Sequence, residues 1–179
     1  MAGVIETTVY QYDELSETAQ SKARDQYRNH GDIWYDADEY WESGKEFSKI
    51  APINIIEADW CNGQVDIEWT GDDDCRELEG LRAWKWLQNN DWFDWAKRNK
   101  DGECTMTGTW CDCPFGDGIM EYAAKPLETP TIKQVFYESA QAWVFAARRD
   151  LEHAYSDEAV AESIRINEYE FTSEGKWHV

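Results

Sequence analysis

Apolar residues recur along this chain with two periods, and the switches between them mark out its helices and strands. Thr7 to Tyr12 alternates, which predicts a short strand. Ser16 then stands as the N-cap of a helix carrying Ala19, Ala23 and Tyr27 at four-residue spacing. Glu17 lies early in it and Lys22, Arg24 and Arg28 later, as the helix dipole favours, and Gly31 ends it. A second helix, from about Trp34 to Ala51, sets Ile33, Ala37, Tyr40, Gly44, Phe47 and Ala51 on one face, and Pro52 closes it. Asp36, Asp38, Glu39 and Glu42 occupy its outer side.

Ile53 to Trp60 and Gln64 to Thr70 flank Cys61-Asn62-Gly63, and Asn-Gly is a strong hairpin signal. Val65, Ile67 and Trp69 point one way and Asp66 and Glu68 the other, so the hairpin has a packed face and a wet, negative one. Asp74 to Asn89 reads as a third helix with a ragged period, and Asp91 to Trp95 as a loop or short helix. Glu103 to Cys111 and Asp117 to Tyr122 read as a second strand pair.

After Pro130, Ile132, Phe136, Ala140, Trp143, Ala147, Leu151 and Ala154 recur at steps of three and four, predicting a helix about 36 Å long as the spine of the fold. Ser156 caps a last helix with Asp157 and Glu158 in its first turn, and Tyr169 and Phe171 suggest a final strand. Strands in adjacent hairpin pairs point to an α+β fold, an antiparallel sheet packed on several helices. Residues 1–179, without an internal repeat or a Pro-, Gly- or Ser-rich linker, read as a single domain.

Hydrophobic residues make up 42% of the chain and aromatic ones 15%, enough for a core and too much for disorder. Thirty-seven acidic residues against seventeen basic give a formal charge of −20. Such a chain repels phosphate backbones, which argues against direct nucleic-acid binding, and is drawn to basic surfaces, among them clefts built to hold DNA or RNA. The first residues lack the basic start and apolar core of a secretory signal, and no apolar run is long enough to span a bilayer. The expected location is the cytoplasm, away from membranes. Five cysteines, an odd number without framework spacing, suit a reducing compartment.

Two acidic clusters are the leading partner-binding candidates: Asp36, Asp38, Glu39 and Glu42 on the second helix, and Asp72, Asp73 and Asp74 ahead of Glu77 and Glu79 at the start of the third. Capping explains the second cluster equally well. A calcium loop is excluded because Arg76 stands where a ligand oxygen belongs. Cys111 and Cys113, with Cys104 upstream, form one loose pair where structural zinc uses two knuckles, so no metal and no cofactor is expected. No nucleophile, base or histidine constellation marks an enzyme. Trp84, Trp86, Trp92 and Trp95 crowd into a segment rich in charge, where not all can face inward, and Trp92 and Trp95 are the expected exposed anchors.

Two segments carry a resemblance: Tyr12-Asp13-Glu14-Leu15-Ser16-Glu17 running into Ala19, Ala23 and Arg24, and Ser156-Asp157-Glu158-Ala159-Val160 followed by Ile164 to Thr172. They resemble a family of small acidic phage and prophage proteins that carry an antitoxin-like label. The resemblance implies a phage setting, in which acidic proteins occupy the nucleic-acid sites of restriction enzymes and CRISPR effectors as DNA mimics. The expected partner is a basic bacterial protein of that kind, with an anti-CRISPR inhibitor the leading form. An antitoxin for a basic toxin, or an enzyme or metal protein of another type, are the alternatives.

Overall fold

The computed structural model describes residues 8–31, 33, 37–100, 113–122 and 125–178. Its elements run β1 (Tyr10–Gln11), a 3₁₀ turn (Tyr12–Glu14), α1 (Glu17–His30), α2 (Ala37–Ile50), β2 (Ile53–Asp59), β3 (Gln64–Trp69), α3 (Asp73–Arg76), α4 (Gly80–Asn89), α5 (Trp92–Lys100), α6 (Cys113–Met120), a 3₁₀ turn (Pro126–Glu128), α7 (Ile132–Ala154), α8 (Asp157–Ile166) and β4 (Glu170–Phe171). The fold is α+β, with two antiparallel two-stranded sheets, β1–β4 and β2–β3. Among the described residues only β2–β3 is a hairpin; β1 and β4 are far apart in sequence.

The chain divides into two compact units. One holds residues up to Tyr35 together with Asp150 onward, the other Asp36–Arg149. In the first unit Ser16 and Ser156 cap α1 and α8, each accepting from the amide three residues on, as their sequences predict. Ala19, Ala23 and Tyr27 of α1 bury against Val160, Ala161 and Ile164 of α8, with Tyr12, Leu15 and Phe171 completing this core. Arg165 reaches Asp13 at 2.8 Å, and its guanidinium lies 5.1 Å from the centre of the Tyr12 ring.

The second unit is built on α7, whose residues from Ile132 to Ala147 supply Val135, Phe136, Ala140, Trp143 and Val144 to an aromatic-rich core. Phe47 of α2 stacks on Phe115 of α6 at 3.8 Å, and Phe115 in turn stacks on Trp143. Gln141 donates its side-chain amide to the Gly63 carbonyl, fastening the hairpin turn to α7.

Two predicted elements differ, and a third is decided between its two alternatives. Asp74 to Asn89 is two helices, because Gly80 takes φ +54° and its amide leaves the helical path to donate to Thr129 O at 2.7 Å. Asp91 opens a nine-residue helix, α5, where a loop or short helix was expected. Asp117 to Tyr122 is not a strand: Phe115, Gly116, Gly118 and Ile119 bury at helical spacing in α6. Its expected pairing partner, Glu103 to Cys111, lies outside the described residues.

Candidate acidic interface

The acidic side of α2 forms because Tyr40, Ser43, Gly44 and Phe47 take the opposite face into the core. Asp38, Glu39 and Glu42 are exposed as expected, while Asp36 lies outside the described residues. Lysines temper this row. Lys45 pairs with Glu42 at 2.6 Å, and Lys49 pairs with Glu46. Residues 37–50 thus carry four acidic and two basic side chains.

Asp72 is the N-cap of α3, its carboxylate accepting from the Asp74 amide at 3.2 Å, so capping accounts for its position. Asp73 and Asp74 are exposed in the first turn, where the helix dipole favours negative charge. α3 is a single turn of four residues.

Trp92 and Trp95 are not exposed anchors: they are 8% and 7% exposed. With Ala96 they share one face of α5 at helical spacing, Trp92 edge-on to Phe136 at 5.1 Å and Trp95 against Gly116. Both indole N–H groups are buried without an acceptor. That costs about 1–3 kcal/mol each, less than the roughly 4–6 kcal/mol from burying an indole ring. Trp84 and Trp86 are the members of this group that stay half-buried.

The hairpin adds carboxylates absent from the candidate clusters. Its register sets Glu57 opposite Asp66 and Glu68 opposite Asn54, all exposed, with a bulge at Ile56 between the two pairs. The Glu57–Asp66 pair places like charges on neighbouring strands, a local cost of about 0.2–1 kcal/mol. Glu57, Asp59, Gln64, Val65 and Asp66 line a shallow cleft of about 160 Å³. Asp59 also holds the turn: it accepts from Asn62 Nδ2 at 2.6 Å and from the Asn62 amide at 3.0 Å. These bonds, the side-chain one first, hold its carboxyl below the usual aspartate range. The alternation of Gln64 to Thr70 was the sequence signal for this face.

Charge is unevenly placed in the second unit. Residues 36–79 carry fourteen acidic and three basic side chains, whereas residues 80–149 carry nine of each. Within the acidic stretch, residues 53–79 hold nine acids and a single cation, Arg76, which pairs with Glu77 at 3.2 Å. A second cleft, about 420 Å³ beside α5, is lined by Asp91, Asp94, Lys97 and Arg98 and mixes both signs.

Among the described residues no three His, Cys, Asp or Glu side chains gather as a metal site, and Cys61 and Cys75 are free thiols. No helix among them is long and apolar enough to cross a membrane. No protein-family model, characterised protein or solved structure matches the chain.

Proposed function

We propose that this protein is an inhibitor that seats an acidic face in the cationic nucleic-acid cleft of a bacterial defence protein. Its contact surface is the segment from α2 through the hairpin to α3. The observation that carries this reading is the charge asymmetry: the surplus of eleven acids in the second unit falls entirely within residues 36–79. Eleven charges match those on about 19 Å of duplex DNA. The exposed Glu57–Asp66 pair fits the same role, since a bound cation offsets a repulsion that the free protein carries.

The resemblance to phage proteins makes a CRISPR effector the leading target, as an anti-CRISPR protein acting by DNA mimicry. The test is competition. A purified effector loaded with labelled DNA should release it as this protein is added, with an apparent affinity that falls as salt shortens the Debye length from about 10 Å at 0.1 M to about 3 Å at 1 M. Effectors that hold DNA and this protein together would exclude mimicry.

A further inference from the structure

Antiparallel ladders alternate residues that bond across the pair with residues whose N–H and C=O point outward. In the hairpin, the Ile55 N–H turns away from β3 and donates to Ser48 Oγ at 3.1 Å. Ile55 faces Ile67 and Ile53 faces Trp69. Thr70 bonds Pro52 O at 3.0 Å, which fixes the same phase at the hairpin's open end. The backbone groups of Ile67 and Trp69 therefore point outward, away from β2. Ser48 of α2 covers the outer edge of β2, but no described residue hydrogen-bonds Ile67 or Trp69 on the outer side of β3. Among the described residues no third strand joins the sheet there.

Along this open edge the side chains alternate. Asp66 and Glu68 are exposed on one face, and Ile67 and Trp69 are half-buried on the other. We infer that the β3 edge receives an extended segment of the partner as a third strand, one in which Lys or Arg alternates with apolar residues. The inference rests on the acidic-face reading above and specifies the form its partner takes. A strand added here has every second side chain beside Asp66 and Glu68, where a cation is complementary. The intervening side chains lie over Ile67 and Trp69 and remove their apolar surface from water. Main-chain bonds then supply affinity and the two-residue alternation supplies selectivity. A second copy of this chain is a poor occupant, because its own β3 would set carboxylates against carboxylates.

The experiment uses the full chain and a synthetic peptide in which Lys alternates with Val, followed by backbone amide hydrogen exchange. At a free peptide concentration of roughly ten times Kd, exchange at Ile67 and Trp69 should slow about tenfold. A Glu/Val peptide should have no effect. A Lys/Val peptide N-methylated on all its amides keeps the charge but cannot donate to the Ile67 and Trp69 carbonyls, and its methyl groups hold its own carbonyls out of reach of their N–H groups, so it should give no protection. Unchanged exchange at Ile67 and Trp69 with saturating Lys/Val peptide overturns the inference. If the N-methylated peptide binds as tightly as the parent, strand pairing is likewise overturned while recognition by the acidic face stands. If neither peptide binds, the edge inference is again overturned, and the mimic reading is decided separately by DNA competition.

Discussion

Arg24 of α1 and Asp157 of α8 form an ion pair at 3.1 Å, and the same guanidinium donates to the Tyr12 hydroxyl at 2.6 Å. One side chain so joins three segments of the first unit. Its pKa is raised, first by the bond to Tyr12 and then by the charge of Asp157. Tyr12 is buried, whereas Asp157 is largely exposed. Removing the hydroxyl in Tyr12→Phe should therefore cost about 1 kcal/mol. Arg24→Ala, which also strips the packed stem, should cost more. Thermal melts of the two variants check the order; an Arg24→Ala protein as stable as wild type would show that the pair is ornamental.

The turn of the hairpin should loosen in acid. Asp59 has a folded pKa below its unfolded value of about 3.9, so its contribution is present above that value and is lost as pH falls through the folded pKa. An NMR titration should find the Asn62 amide resonance moving at that lower pH. Asp59→Asn should abolish the movement and speed exchange of the Asn62 amide.

Helix α6 meets α7 where Gly118 lies against Ser139. A Cβ added at Gly118 would overlap the backbone of Ser139, which cannot yield as a flexible side chain can. Gly118→Ala should destabilise the second unit by about 1–3 kcal/mol or more, read by denaturant melts. A neutral effect would mean that the two helices pack less closely than described.

Stability and binding should respond in opposite directions at the hairpin. Glu57→Gln relieves the repulsion with Asp66 and should raise stability by about 0.2–1 kcal/mol, yet weaken association with a cationic partner. Glu42→Gln with Glu46→Gln should weaken binding less per charge removed, because Lys45 and Lys49 already neutralise those carboxylates. Equal losses per charge from the two sites would point to a diffuse field rather than a localised face. Paired melts and binding isotherms for each variant decide it.

Where local chemistry and tertiary context agreed, the sequence was readable. Ser16 and Ser156 mark helix starts by side chains that cap within one turn, and Asn62-Gly63 marks the hairpin, so α1, α8 and β2–β3 stand close to where they were expected. The sequence hides α6 because Gly116 and Gly118 weaken the helical signal while serving close packing against Trp95 and Ser139, a requirement visible only in three dimensions. Trp92 and Trp95 looked exposed because charged neighbours surround them in sequence. Helical spacing sends Asp94, Lys97 and Arg98 outward and the rings inward. The hairpin carboxylates were legible as a wet face, but the opposition of Glu57 to Asp66 depends on a bulge that alternation alone does not place.

The pairing of Tyr10 with Phe171, and of Asp13 with Arg165 at a separation of 152 positions, has a kinetic consequence. The first unit has no complete core until the last segment of the chain is synthesised, whereas the second unit is contiguous. On a ribosome the second unit can fold while α1 still waits for α8. Its folding would shorten the effective path between the ends and lower the closure entropy that a fully flexible loop of that length imposes. Assembly of this protein should thus begin with its contiguous unit, with the docking of α8 on α1 as the later step.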